Sequence, residues 1–212
     1  YSSNLDTKKL FWAILAANGT KGVRHCVMDI ASFFLHNRNL LERKEYLFFP
    51  SVNLPATYKA QYASFIGEDG MIMFECGQAV YGMYDAGTIA GRVLGETLIA
   101  ADYYEVGLES CMWRSNRKGE ELVCFNLNVD DIDFQGLPNA GHKERLLKVL
   151  SADGYEVSHT EFDDDVQNYC GYQVVHDSKT NRVMVSMPGY VDEMLELFGM
   201  TDVKIQDHPY RY

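Results

Sequence analysis

Two places in this sequence bring carboxylates together in a way that could support chemistry. Asp29 closes an apolar stretch, Val23 to Ile30, and is followed by Phe33-Phe34. Asp130-Asp131 sits in a tight turn between two apolar runs, Leu122 to Leu127 and Ile132-Asp133-Phe134. Like charges a few ångströms apart repel, so such a pair is costly until a cation neutralises it. Three carboxylates from two adjacent strands can bind two Mg²⁺ about 4 Å apart, an arrangement suited to in-line phosphoryl transfer. Aspartate also favours turns for conformational reasons. Spacing alone therefore leaves an ordinary solvated turn open as well.

The elements that must position these residues follow from periodicity. Asn4 or Asp6 can cap a helix through Leu10, Phe11, Ile14 and Leu15, with Gly19 placed to end it. Val23 to Ile30 reads as a strand, Tyr46 to Phe49 as a short strand stopped by Pro50, and Met71 to Phe74 as another. Pro55 opens a helix expected to reach Phe65, and Ala86 to about Tyr103 is a long helix carrying Gly87, Ala90, Gly91 and Gly95. Arg117 to Glu120 is a turn between two strands, and Lys143 to Leu150 is amphipathic. Tyr169 to Val175 and Arg182 to Ser186 form a hairpin around 177–181, and Pro188 starts a helix ending near Gly199. Arg43-Lys44 is a short basic stretch, and Asp163-Asp164-Asp165 reads as a solvated loop.

Composition bounds the alternatives. The chain has 212 residues, 47 % hydrophobic and 13 % aromatic, which argues against disorder of the whole. No apolar run approaches the roughly 20 residues that span a bilayer. Cys26, Cys76, Cys111, Cys124 and Cys170 are odd in number and widely spaced, without a zinc-knuckle or CxxC pattern, so free thiols in a reducing interior are expected. The formal charge is −11. Residues 1–106 carry 9 basic and 11 acidic residues, and 107–212 carry 10 and 19. That balance speaks against coating nucleic acid by bulk charge, and leaves a local cleft open. The start, Tyr1-Ser2-Ser3-Asn4, reads as internal to a longer protein.

Five motifs in order then define a resemblance: 28–35 (MDIASFFL), 79–86 (AVYGMYDA), 128–131 (NVDD), 169–172 (YCGY), and 188–191 (PGYV) continuing to 197–200 (LFGM). Together they resemble the reverse transcriptase of copia-type LTR retrotransposons, over about Phe11 to Met200. The resemblance implies an α+β polymerase palm, an antiparallel sheet backed by helices. Partial fingers and palm would occupy 1–187, and the start of a thumb 188–212. Val23 to Asp29 would lie beside the hairpin 122–134, with helix 86–103 behind.

The resemblance also implies site residues. Asp29, Asp130 and Asp131 would be catalytic and would hold two Mg²⁺, with Mn²⁺ as an alternative, Asp131 being the more peripheral ligand. Phe34 would sit under the incoming sugar and exclude a ribose 2′-OH. Backbone N–H groups of Ser32 and Phe33 would meet the triphosphate. Cys170-Gly171-Tyr172 would grip the primer strand. The implied partners are an RNA template, a DNA primer, dNTP, and the integrase and RNase H of a retrotransposon polyprotein. No membrane partner is implied. The implied location is intracellular: cytoplasmic, within a virus-like particle, or nuclear.

Three departures from the family pattern bear on activity. Asn128 replaces the usual tyrosine before Val-Asp-Asp, near the primer end. Asp85 replaces a glutamine that contacts the nucleotide, and Thr88 stands where a basic residue often follows. The basic fingers hairpin falls upstream of Tyr1, so Lys8, Lys9, Lys21 and Arg24 are the early cations of this chain. Two classes follow: a polymerase core, or a domesticated scaffold that keeps the palm without catalysis. A phosphotransferase of unrelated fold is a third.

Overall fold

The computed structural model describes residues 2–36, 44–107, 111–162 and 166–200. The Asp163-Asp164-Asp165 loop, Arg43 of the basic stretch and the expected thumb residues 201–212 lie outside them.

Helix α1 spans Leu5–Asn18. Asn4 caps it: its side-chain oxygen accepts the Thr7 N–H at 2.8 Å, satisfying one orphan donor of the first turn. Gly19 does not end the helix in a left-handed turn. The chain tightens into a 3₁₀ turn over Gly19–Lys21, and Gly22 supplies the positive φ of 84°. Strand β1 (Arg24–Ile30) follows. Strands β2 (Tyr46–Pro50) and β3 (Met71–Glu75) pair with each other as a separate two-stranded sheet. Helix α2 covers Ala56–Gln61, and Ala63–Phe65 is a separate 3₁₀ turn, so the helix expected from Pro55 to Phe65 breaks at Tyr62.

Helix α3 (Ala86–Ala100) is shorter than expected, because Tyr103 already belongs to strand β4 (Tyr103–Glu105). Strands β5 (Met112–Ser115), β6 (Cys124–Asn128) and β7 (Asp131–Gly136), helix α4 (His142–Ala152) and strand β8 (Val157–His159) complete the larger sheet and its backing. Its order is β4-β5-β6-β7-β1-β8, with every pairing antiparallel. A three-stranded sheet follows: β9 (Gln167–Tyr169), β10 (Tyr172–Asp177) and β11 (Arg182–Ser186). The single strand expected over 169–175 is thus two strands around Cys170-Gly171. Helix α5 spans Pro188–Leu197, with Pro at its first position and none of its residues buried.

The fold is α+β, with antiparallel sheets backed by helices. Strand alternation gives the large sheet two faces. Cys26, Met28 and Ile30 of β1, Phe125 and Leu127 of β6, and Ile132 and Phe134 of β7 pack with Leu94 and Leu98 of α3 and Leu146 and Leu150 of α4. On the other face, Val27 and Cys124 pack with Phe11 and Trp12 of α1 and with Tyr169 and Val174 of the three-stranded sheet. This face also buries polar groups. Asp133 is fully buried, with Trp12 Nε1 donating to its Oδ2 at 3.0 Å and His25 Nδ1 lying 3.3 Å from its Oδ1. None of the five cysteines forms a disulfide. No helix among the described residues is long and apolar enough to cross a membrane.

Candidate functional site

The register of β1 against β7 sets Asp29 directly opposite Asp131. Opposed residues of an antiparallel pair share a face, with Cβ atoms roughly 5 Å apart. Residues two apart along β1 and β7 continue that face inward as the pairs Val27–Asp133 and His25–Gln135. Asp29 is therefore the exposed, solvent-end member of a row whose inner members are buried under α1.

Asp130 enters through the β6–β7 turn. Asn128 pairs with Asp131, leaving Val129 and Asp130 as a two-residue connection. Val129 holds φ of 61°, a left-handed conformation that costs a β-branched residue. The Asp130 carbonyl accepts the Ile30 N–H at 3.0 Å, which locks the turn against the end of β1. All three acids thus come from two paired strand ends.

Electrostatics reflect the crowding. Burial raises the Asp131 carboxyl from its ordinary value. The Cys170 hydrogen bond and Lys8 pull it down, while Asp130 and Asp29 push it up. Cys170 Sγ lies 3.4 Å from Asp131 Oδ2. It reaches there because Cys170 (φ 50°) and Gly171 (φ 79°) form the turn of the β9–β10 hairpin, both left-handed as a type I′ turn requires. Burial, then the Asp131 charge, pushes the Cys170 thiol up to about 12, so it stays protonated and donates. Tyr172 packs edge-on against Trp12, with centroids 5.4 Å apart.

The remaining expected site residues are spread around this centre. Ser32 (φ 53°) is exposed in the turn after β1. The Phe33 side chain is fully buried in the main core. Phe34 is half-buried and meets Tyr81 edge-on, with centroids 4.7 Å apart. That contact brings the 79–86 motif to the element that follows Asp29. Asp85 immediately precedes α3, where its charge suits the helix N-terminus.

Asn128 is the clearest departure in space as well as in sequence. Its Oδ1 accepts from Lys8 Nζ at 3.1 Å and from Ser2 Oγ. Ser2 also bridges to Asn128 in the antiparallel sense, and the Ser3 N–H reaches Leu127 O at 3.3 Å. Lys8, one of the early cations of the chain, is 8 % exposed and turned inward. Its signal was present in the spacing: Lys8, Phe11, Trp12 and Leu15 form one stripe of α1, and all four are buried. Asp133 carried a similar signal, a charge inside an otherwise apolar run.

The donor set is oxygen only and suits a hard divalent cation such as Mg²⁺ or Mn²⁺. Asp29 and Asp131 supply it from one face, and Asp130 from the turn. Among the described residues, however, no group of three or more His, Cys, Asp or Glu side chains converges as a formed metal cluster.

Fold and site together define an α+β domain with an acidic hairpin turn set against the end of a central strand. No protein-family model matches the chain, and no curated protein matches it. Among solved structures, apo telomerase from Candida tropicalis truncated from its C-terminal domain is similar with a TM-score of 0.46 and 10 % identity. That alignment covers 87 % of this chain and 40 % of the telomerase chain, so the chain spans well under half of that structure's length.

Proposed function

We propose that this chain is the palm region of a reverse transcriptase, of the copia type its motifs resemble, with 188–212 beginning a thumb. The observation that carries the proposal is the register Asp29 opposite Asp131, with Asp130 in the adjoining turn. Asp29 lies about a hundred positions from the other two in sequence, yet the three belong to paired strand ends and their connecting turn, the kind of arrangement from which a nucleotidyl-transfer centre is built.

In this reading Asp29, Asp130 and Asp131 would hold Mg²⁺ or Mn²⁺. The metal would supply activation of a primer 3′-OH and charge stabilisation of departing pyrophosphate. The chain's own residues do the rest. Cys170 donates to Asp131 and keeps one carboxylate oxygen oriented. Phe34, which meets Tyr81 edge-on, would present its ring to an incoming sugar. The 170–172 turn would bear on a primer strand, and RNA template, DNA primer and dNTP are the partners.

A second reading, a palm kept as a non-catalytic scaffold, is favoured by one observation. The Asn128 side chain, at the position expected near the primer end, is already engaged by Lys8 and Ser2. Mn²⁺ titration followed by electron paramagnetic resonance, beside primer extension with dNTP, separates the two. The polymerase reading expects Mn²⁺ binding that Asp29→Asn and Asp130→Asn each abolish, and extension that disappears with it. A folded chain that neither binds Mn²⁺ nor extends is the scaffold.

A further inference from the structure

Lys8 does not reach into solvent as an exposed helix lysine would. It is 8 % exposed, and its ammonium donates to Ser3 O at 3.3 Å and Asn128 Oδ1 at 3.1 Å, both neutral oxygens. The same ammonium lies 5.9 Å from the ring centroid of Tyr169 and 6.0 Å from that of Tyr172. Those tyrosines are the paired residues that flank the Cys170-Gly171 turn. Lys8 therefore touches three pieces near the acidic turn: the segment before α1, the last residue of β6, and the hairpin that reaches Asp131.

A buried ammonium is expensive unless a charge compensates it, and neutral oxygens and ring faces compensate in part. Compensation is available across the sheet. Asn128, the Lys8 acceptor, pairs with Asp131, which faces Asp29. The acidic end has the converse problem, since two carboxylates opposed on one face repel. We infer that Lys8 is a built-in counter-charge of the acidic turn, one fixed positive charge that the chain itself sets on the Asn128 side of Asp131, the residue that faces Asp29. It is a positioning residue, acting through Asn128 and through its field.

Two consequences follow. Lys8 and Asp131 stabilise the fold as a pair rather than independently. The fixed charge also opposes a divalent cation at the same carboxylates, so removing it tightens metal binding rather than weakening it. A lysine that merely packed α1 against the sheet would give the opposite sign. The second consequence rests on the metal-centre reading proposed above, and the first does not.

The test is a double-mutant cycle in EDTA, reading the unfolding constant from urea titrations of wild type, Lys8→Gln, Asp131→Asn and the double variant. Glutamine keeps a donor for Asn128 and loses the charge. The expected result is that Lys8→Gln shifts the unfolding constant at least about threefold less in the Asp131→Asn background. Additive shifts overturn the inference. Should Lys8→Gln fail to fold, a folded double variant supports the inference, and an unfolded one beside a folded Lys8→Arg overturns it. In the metal arm, Lys8→Gln is expected to bind Mn²⁺ about fivefold more tightly than wild type, and equal or weaker binding counts against the counter-charge. Coupling without Mn²⁺ binding by any variant keeps the counter-charge and removes the metal-centre reading. Mn²⁺ binding with additive shifts does the reverse.

Discussion

Cys170 Sγ stands 3.4 Å from Asp131 Oδ2, so the turn of one sheet donates to the carboxylate that faces Asp29 in another. The contact spans 39 positions and ties the β9–β10 hairpin to the acidic end of β7. Cys170→Ala removes the donor and is expected to cost about 0.5–1.5 kcal/mol of unfolding free energy. Cys170→Asn, which tolerates a left-handed turn and can still donate, is expected to recover most of it. Urea unfolding of the three proteins in EDTA decides this.

The opposed pair Asp29–Asp131 is a like-charge contact in the metal-free chain. Asp29→Asn is therefore expected to raise stability by about 0.2–1 kcal/mol in EDTA. The same variant is expected to lose Mn²⁺ binding. A gain in stability coupled to a loss of ligand binding marks a functional pair, whereas a loss of both would mark Asp29 as structural.

Trp12 holds Asp133 under α1 through its indole N–H, 3.0 Å from Oδ2. Trp12→Phe keeps most of the ring and takes that donor away from a fully buried carboxylate, leaving His25 beside its other oxygen. The expected cost is about 2–3 kcal/mol, measured by the shift of the urea midpoint at constant slope.

Alkaline pH should destabilise the protein in a defined window. Burial pushes the thiol of Cys124 and the phenols of Tyr103 and Tyr155 each up to about 12, and raises Cys26 further. In the unfolded chain these groups ionise near their ordinary values, thiols below phenols. Between those values and the raised folded ones, the native state binds more protons than the unfolded state. Stability therefore falls as pH rises from about 9 towards 12, by at most about 1.4 kcal/mol per pH unit per group. Cys124→Ala should reduce the slope of unfolding free energy against pH above about 9, beyond any uniform loss of stability.

Phe34 meets Tyr81 and follows the strand that ends at Asp29 and Ile30. If it lies under the sugar, Phe34→Ala admits a ribose 2′-OH and shifts use of rNTP relative to dNTP by about tenfold to a hundredfold. Competitive extension assays measure the ratio directly, and an unchanged ratio assigns Phe34 to packing.

Much of the fold was legible from local pattern. The cap at Asn4, the apolar run of β1, the β6–β7 hairpin around an Asn-Val-Asp-Asp turn, amphipathic α4 and the Pro188 helix start are all short-range signals. Each depends on residues within a few positions of one another. The acidic turn and Asp29 were likewise visible as candidates, because carboxylates beside apolar runs are conspicuous. The sequence by itself therefore determined most of the elements, though not the break at Tyr62 or the split of 169–175 into two strands, and the residues worth watching.

Tertiary structure decided how they meet. A one-residue slip of β1 against β7 would send Asp29 to the core face and leave Asp131 without its opposite number. Only the packing of both sheet faces selects the observed register. The same packing turned Lys8 inward onto Asn128, 120 positions away, and buried Asp133 between Trp12 and His25. It also brought a cysteine in a left-handed turn onto Asp131. These contacts join residues far apart in the chain, and no local propensity encodes them. They arise because burying the apolar stripe of α1 and the inner faces of two sheets carries Lys8, Asp133 and Cys170 to the partners that satisfy them.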